Sequence, residues 1–269
     1  MSWVITGSQK VNWDPSLITT ALWLDAADLS TVTTVSGGVS QWNDKSGNAR
    51  HFSQGASASR PTVNATAING KPALVFDGVN DSLAAGSAVI PTTHSLFVLF
   101  VPTLENATGS LIGQWEAGQT GRFLFGCNQD CGGQTLSGRL NPFNSTATQG
   151  NCGGGGAGLA ADVVIANTPT IIESISATGA ENWKLLKNGT EWDSATITSV
   201  YQGINTALGV TSASGTSNYY DGQIAEVILA ASVLSVGDRQ RIEGYLAHKW
   251  GLTADLPSNH PYKTAVPVP

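Results

Sequence analysis

The stretch DGQIAEVILAASVLSVGDRQRIEGYLAHKWG, residues 221–251, decides the fold because it joins a strand signal directly to a helix signal. Its first part, residues 222–230, is an apolar run of the length of a buried β-strand. Ser235 then begins a segment that resembles a helix-capping box, and Gly251 is typical of a helix end. The spacing predicts a helix over residues 235–250. Its apolar face carries Ile242, Tyr245, Leu246 and Trp250.

Outside this stretch the chain repeats short apolar or alternating runs, most of them flanked by Gly, Asn, Asp or Pro. The runs are ALWLD (21–25), GVSQWND (38–44), KPALVFDG (71–78), HSLFVLFVP (94–102), RFLFGC (122–127), PTIIESISA (169–177), WKLLKNG (183–189) and TALGVT (206–211). Asn188-Gly189 separates two strand candidates, which is a strong hairpin signal. The pattern predicts an all-β fold, a two-sheet antiparallel jelly-roll sandwich in which the C-terminal helix closes one edge or end.

Charge and hydropathy argue against two classes of partner. Charged residues make up 12% of the 269-residue chain, the net charge is −6, and the 13 Lys and Arg residues form no cluster. A nucleic-acid surface needs clustered positive charge, so we expect no nucleic-acid binding. No apolar run reaches the roughly 20 residues of a membrane-spanning helix, so we expect no membrane insertion. The first residues show no secretion-signal pattern.

The three cysteines are an odd number, which argues against a full disulfide framework. They are Cys127, Cys131 and Cys152. A zinc site would need a fourth ligand, and the nearest histidine, His94, lies far upstream. Unpaired thiols and a single disulfide both remain compatible with this spacing.

Residues 1–20 form a polar arm with scattered apolar side chains, and the jelly-roll domain is predicted to span residues 21–269. Large apolar side chains on an arm too short to form its own core are typical of interface anchors. The sequence therefore predicts that the arm docks on another subunit, with packing on its own domain as the alternative. The predicted docking residues are Trp3, Val4, Ile5, Val11 and Trp13.

Three long segments carry a family resemblance. They are LWLDAADLSTVTTVSGGVSQWNDKSGNARHFSQ (22–54), RPTVNATAINGKPALVFDGVNDSL (60–83) and IAEVILAASVLSVGDRQRIEGYLAHKWGLTADLPSNHPY (224–262). They resemble the LamG-like, concanavalin A-like jelly-roll domains of bacteriophage virion proteins and bacterial surface proteins. The resemblance implies two packed antiparallel sheets that serve glycan binding or virion decoration. Because such folds host many functions, the ligand has to be argued from the site.

The resemblance also implies a calcium ion at one rim of the sandwich, held by Asp, Asn and backbone oxygens. The segment DGVND offers Asp77, Asn80 and Asp81 on a glycine turn, and hard oxygen ligands suit calcium. The alternative is an Asx-rich turn in which these side chains accept hydrogen bonds from their own backbone. No other cofactor is expected.

Exposed aromatic side chains could stack on sugar rings, although core positions are the alternative for each of them. The candidates are Trp115, Trp183, Trp192, Tyr219 and Tyr220. Because binding residues concentrate on loops of a rigid scaffold, we expect weak glycan contacts on rim loops near residues 77–81 and 150–162, away from the helix.

No catalytic residue is predicted. Jelly-roll glycoside hydrolases use paired carboxylates in an E-x-D-x-x-E pattern. Here Glu191 and Asp193 are followed by Thr196 at the third position. His248 has no recognisable nucleophile or orienting acid and is interpreted as a surface residue of the last helical turn.

These inferences lead to a non-enzymatic bacteriophage structural protein on the virion surface, assembled in the host cytoplasm. Capsid decoration is the first expectation, and a tail-associated or fibre-associated subunit is the second. The expected partners are capsid or tail proteins, further copies of the chain in a homo-oligomer, and host or environmental glycans. The alternative function is a carbohydrate-binding module of a bacterial surface protein.

Overall fold

Two antiparallel β-sheets and one C-terminal helix make up the described part of the fold, which confirms the predicted all-β sandwich. The computed structural model describes residues 12–103, 109–115, 123–127, 140–143, 165–177, 183–195, 205–214 and 218–269. Within these ranges each sheet contains eight strands.

Sheet A has the strand order β14-β13-β12-β8-β16-β6-β5, and β1 also pairs with β16. Its strands are β1 (Leu22–Asp25), β5 (Thr62–Ile68), β6 (Lys71–Asp77), β8 (His94–Pro102), β12 (Thr170–Ser176), β13 (Trp183–Lys187), β14 (Thr190–Ala195) and β16 (Asp221–Ala230). Asn188 and Gly189 both have positive φ at the turn between β13 and β14, which confirms the predicted hairpin.

Sheet B has the strand order β11-β10-β9-β15-β7-β4-β3-β2. Its strands are β2 (Val32–Val35), β3 (Gly38–Trp42), β4 (Phe52–Ser53), β7 (Leu83–Ala84), β9 (Gly109–Gln114), β10 (Phe123–Cys127), β11 (Leu140–Phe143) and β15 (Ala207–Leu208). Of the three cysteines, only Cys127 falls within the described residues, where it is the last residue of β10.

Sheet A is covered on both faces, and strand β8 shows the consequence for its sequence. All nine of its residues are buried. Leu96, Val98 and Phe100 lie in the core between the two sheets. The alternating residues Phe97, Leu99 and Val101 lie in a second core on the other face. Because successive strand residues point to opposite faces, a strand buried on both sides has a continuous apolar sequence.

The second core lies beneath helix α1 (Val236–Trp250), which crosses the outer face of sheet A. The Oγ of Ser235 caps the helix by accepting a hydrogen bond from the Asp238 N–H, and Gly251 ends it with φ +73°. The predicted helix is confirmed, and Trp250 is fully buried. The predicted position at an edge or end is corrected, because the apolar stripe packs on a sheet face. In the described ranges no helix has the length and apolarity to cross a bilayer.

Candidate functional site

The predicted calcium residues lie at the turn between β6 and β7. The carboxylates of Asp77 and Asp81 accept hydrogen bonds from the backbone of this turn, whereas the buried Asn80 Oδ1 has no hydrogen-bond partner among the described residues. The Oδ1 of Asp77 accepts hydrogen bonds from the N–H groups of Val79 (2.8 Å) and Asn80 (3.2 Å). The Oδ2 of Asp81 accepts one from the Asp77 N–H at 3.1 Å. Burial and the charge of Asp77 raise the pKa of Asp81 to about 6. This geometry is the Asx turn that the sequence left as the alternative, and calcium binding remains a proposal.

The same rim carries the predicted tyrosines, because the Gly78 N–H donates to the Tyr220 carbonyl at 3.1 Å. Tyr219 is half-buried, whereas Tyr220 is only 2% exposed. The Tyr220 ring lies 6.3 Å from that of Phe76 in the inter-sheet core. This burial corrects the predicted stacking role of Tyr220, since its faces already contact protein.

The predicted tryptophans divide between core and surface. Trp183 is buried, and its indole N–H donates to the Ser174 Oγ at 3.0 Å. Trp115 is half-buried. Trp192 is 36% exposed on β14, an edge strand of sheet A, with the Lys187 Nζ 5.3 Å from its ring centroid. Of this group, Trp192 has the largest exposed fraction.

Trp13 belongs to the body of the domain. Its side chain lies in the second core and is 4% exposed. Its backbone N–H donates to the Pro267 carbonyl at 3.1 Å. Its ring packs edge-on against that of Tyr245, with 6.2 Å between the ring centroids. The predicted role of Trp13 in docking on a partner is thereby corrected to the alternative, packing on its own domain. The other docking candidates, Trp3, Val4, Ile5 and Val11, lie outside the described residues.

A cavity of about 280 Å³ opens where this N-terminal segment meets helix α1. We call it the seam pocket. Its walls include Trp13, Asp14, Tyr245, His248 and Pro267. The His248 Nε2–H donates to the Tyr262 carbonyl at 2.8 Å, which holds the imidazole in place. The pocket therefore combines aromatic and aliphatic walls with a carboxylate and an imidazole, a mixture typical of small-ligand sites.

Behind the seam pocket, Glu226 is fully buried and accepts hydrogen bonds from side chains of β1 and α1. The donors are Trp23 Nε1 (2.9 Å), Tyr245 Oη (3.0 Å), Trp250 Nε1 (2.7 Å) and Lys249 Nζ (2.7 Å). Burial is the largest influence on the pKa of Glu226 and raises it above the usual range, with Lys249 opposing the shift. The same surroundings raise the pKa of Tyr245.

A second buried acidic group joins β12 to the helix. Glu173 and Glu243 are both fully buried, and Arg239 Nη1 forms an ion pair with each of them. The His260 Nε2 lies 2.7 Å from Glu243 Oε2. Within the described part of the chain neither Glu173 oxygen has a hydrogen-bond donor, and burial together with the Glu243 charge raises the pKa of Glu173.

Sequence reasoning missed both acidic groups, although a signal was present. Glu226 and Glu173 each interrupt an apolar strand sequence, EVILA and TIIES. A carboxylate in a strand that is buried on both faces needs charged or hydrogen-bonding partners. The described residues hold no cluster of three or more His, Cys, Asp or Glu side chains that could bind a metal.

No family model and no curated protein sequence matches the chain. Among solved structures, it is similar to domain 4 of AbnA, a GH43 extracellular arabinanase from Geobacillus stearothermophilus, in complex with arabinotriose. The TM-score is 0.56 at 15% identity, over 81% of this chain and 95% of that one.

The chain is also similar to a Trypanosoma rangeli sialidase in complex with sialic acid. The TM-score is 0.56 at 12% identity, over 85% of this chain and 33% of the sialidase. An arabinofuranosidase complexed with arabinofuranosyl-α-1,2-xylobiose gives a TM-score of 0.52 at 14% identity, over 83% of this chain and 58% of that one. The chain thus spans about a third of the sialidase and less than three fifths of the arabinofuranosidase. The likenesses establish a β-sandwich fold shared with parts of carbohydrate-active proteins.

Proposed function

We propose that this chain is a non-catalytic, glycan-binding β-sandwich displayed on the surface of a bacteriophage particle. The observation that supports glycan binding is the structural similarity to domain 4 of AbnA. This similarity extends over 95% of that domain, whose structure contains arabinotriose. The sequence resemblance to virion jelly-roll domains supports the particle surface as its location.

The seam pocket supports this proposal with a suitable volume and chemistry. At about 280 Å³ the cavity lies just below the range of about 300–1,000 Å³ that is common for small-molecule pockets, so we propose a single sugar residue as its occupant. The Asp14 carboxylate can accept hydrogen bonds from sugar hydroxyls, while Tyr245 and Trp13 supply apolar wall. This site lies beside the helix and not on the rim loops where the sequence suggested glycan contacts. Many copies on one particle would raise avidity by roughly 10²–10⁴ over a weak single site.

Three of the carboxylates that the structure describes fit a non-catalytic role. The Glu173 and Glu243 side chains are fully buried, so a substrate cannot reach them. Glu191 is exposed and pairs with Lys184 at 2.7 Å on the surface of the hairpin. A retaining glycosidase needs two accessible carboxyl groups about 5 Å apart, and the buried Glu173 and Glu243 do not provide them.

A glycan array probed with a multivalent form of the protein tests the proposal. Site-specifically biotinylated chain, assembled as a streptavidin tetramer, should bind a subset of glycans. Asp14→Ala should reduce that binding at least tenfold, because a lost hydrogen bond to a charged group weakens each site and multivalency compounds the loss. Asp255→Ala removes an exposed carboxylate that does not line the pocket, so it is the matched control and should bind as the wild type does. If the folded tetramer bound no glycan on the array, this result would contradict glycan binding and favour a purely architectural role.

Location separates the virion proposal from the alternative of a module on a bacterial surface protein. An antibody against the chain, gold-labelled for electron microscopy, should mark the capsid or tail of intact phage particles. Labelling of bacterial cells but not of particles would favour the alternative.

A further inference from the structure

Three ionisable side chains from three different elements meet beneath the helix. Asp25 on β1 and Glu226 on β16 are direct cross-strand partners. Lys249, in the last turn of α1, places its Nζ between them, 2.6 Å from Asp25 Oδ1 and 2.7 Å from Glu226 Oε2. Carboxylates directly opposite on neighbouring strands repel each other, and the ammonium group between them offsets this repulsion.

Burial shields the two carboxylates from water, whereas Lys249 also lines the seam pocket. The side chains of Asp25 and Glu226 are 5% and 0% exposed, and that of Lys249 is 18% exposed. The Lys249 Nζ lies 5.2 Å and 5.4 Å from the ring centroids of Tyr245 and Trp250.

We propose that Lys249 and Asp25 join in an intramolecular amide bond, with Glu226 transferring the protons. An amine held in contact with a carboxyl group reacts with an effective concentration that can reach about 10⁵–10⁸ M, which compensates for the low reactivity of an unactivated acid. Burial also raises the pKa of Glu226, which suits this carboxyl group to proton transfer.

The reaction balances without any oxidant, reductant or further reactant. Glu226 first takes a proton from the Lys249 ammonium and passes it to Asp25 Oδ1, which leaves a neutral amine beside a carboxylic acid. The amine lone pair attacks Asp25 Cγ, and negative charge develops on Oδ2. Glu226 then moves a second proton from the nitrogen to Oδ1, the C–O bond breaks and water leaves. One C–N bond replaces one C–O bond.

Lys45 is positioned to stabilise the charge that develops during this reaction. Its Nζ lies 2.9 Å from Asp25 Oδ2, the oxygen that remains as the amide carbonyl. A cation at the developing oxyanion lowers the barrier to a tetrahedral intermediate. The leaving oxygen, Oδ1, is the one that contacts Lys249.

The bond would connect the first strand of sheet A to the end of the helix. Asp25 and Lys249 are 224 residues apart in sequence, so the amide would enclose most of the chain in one covalent loop. A pulling force applied outside this interval would pass through the bond and not through the fold between its ends. Such a connection would benefit a protein on a particle surface, although the inference does not depend on glycan binding.

Intact-mass spectrometry of the denatured full chain tests this inference. The wild-type protein should be lighter than its sequence mass by one water molecule, and a protease digest should contain a branched peptide that joins Asp25 to Lys249. Lys249→Arg keeps the positive charge but cannot form the amide, so this variant should have the full mass of its own sequence. Most of the Glu226→Gln protein should likewise have the full mass of its own sequence. Lys184→Arg, in an exposed ion pair, is the matched control and should keep the loss of water.

Two outcomes would overturn the inference. One is wild-type protein at its full sequence mass without a branched peptide. The other is loss of water that persists in Lys249→Arg, which would place the lost water elsewhere in the chain. Both outcomes are read from the mass of denatured protein, and the wild-type mass decides on its own.

Discussion

His94 lies at the start of β8 and is fully buried, with both of its ring nitrogens hydrogen-bonded. The Nδ1–H donates to the Pro91 carbonyl at 2.9 Å, and Nε2 accepts from the Ser174 hydroxyl at 3.1 Å. Burial lowers the pKa of His94 from 6.5 to about 4, because desolvation disfavours the imidazolium. The histidine that a zinc site would have required therefore serves as a neutral residue of the core.

This depressed pKa predicts a loss of stability in acid. His94 binds a proton below pH 6.5 when unfolded but only near pH 4 when folded, so its contribution is complete above pH 6.5 and is lost as the pH falls toward 4. The linkage amounts to about 3 kcal/mol. Urea unfolding at pH 7 and pH 4 should show that His94→Gln removes about this much of the acid loss. Val236→Ala, an exposed change that keeps His94 and its hydrogen bonds, should retain the wild-type pH dependence. An equal acid loss in His94→Gln would contradict the assignment.

At the scale of elements, the turn between β6 and β7 shows how an aspartate in a sequence that resembles a metal site can instead accept hydrogen bonds from its own backbone. Asp77 organises three following N–H groups, those of Val79, Asn80 and Asp81. The positive φ of Gly78 (+73°) brings the chain close to Asp221, where a Cβ on Gly78 would lie 2.8 Å from the Asp221 Cβ. Glycine is therefore required at this position of the rim for steric and conformational reasons.

Chelation distinguishes a backbone-satisfied turn from a calcium site. We expect EDTA to leave the melting temperature unchanged, because the Asp77 Oδ1 already accepts backbone hydrogen bonds. Asp77→Ala should lower the free energy of unfolding by about 1–3 kcal/mol, since it removes the acceptor of these N–H groups. Asp255→Ala, an exposed change, should stay within about 0.5 kcal/mol. A melting temperature lowered by EDTA and restored by calcium would assign the ion to the protein, since a ligand bound to the native state stabilises it.

At the scale of the whole molecule, the chain builds three layers: sheet B, sheet A, and the helix with the segments that flank it. The N-terminal and C-terminal segments meet on the helix side, where Trp13 and Pro267 share a backbone hydrogen bond. Gly244 allows this approach, because a Cβ there would lie 2.5 Å from the Tyr262 Cβ. The second core thus depends on residues from both ends of the chain.

Truncation from the N-terminus tests where the domain begins. Removing residues 1–20 should lower the free energy of unfolding by about 3–5 kcal/mol more than removing residues 1–11, because only the longer deletion takes away the buried Trp13. Urea unfolding of the two truncated proteins measures the difference. Trp13→Ala in the full chain should reproduce most of it. Equal stability of the two truncated proteins would instead support a boundary at residues 20 and 21.

The sequence predicted the features that depend on neighbours along the chain. Period-two alternation, the Asn188-Gly189 turn and the cap at Ser235 each act within a few residues, so they indicated the strands, the hairpin and the helix. Fold class followed from these elements and from the family resemblance. The Asx turn at Asp77 was likewise present among the alternatives, since its donors and acceptors lie within four residues.

Only the tertiary structure decided how these elements are layered and which side chains meet. An apolar helix stripe has the same sequence pattern whether it covers an edge or a face of a sheet. Likewise, the sequence around an aromatic residue such as Tyr220 does not distinguish a core position from a rim position. The contacts of Glu226 join residues 203 apart for Trp23 and 23 apart for Lys249. Contacts over such separations depend on strand order and sheet packing, and local patterns along a single sequence do not specify those.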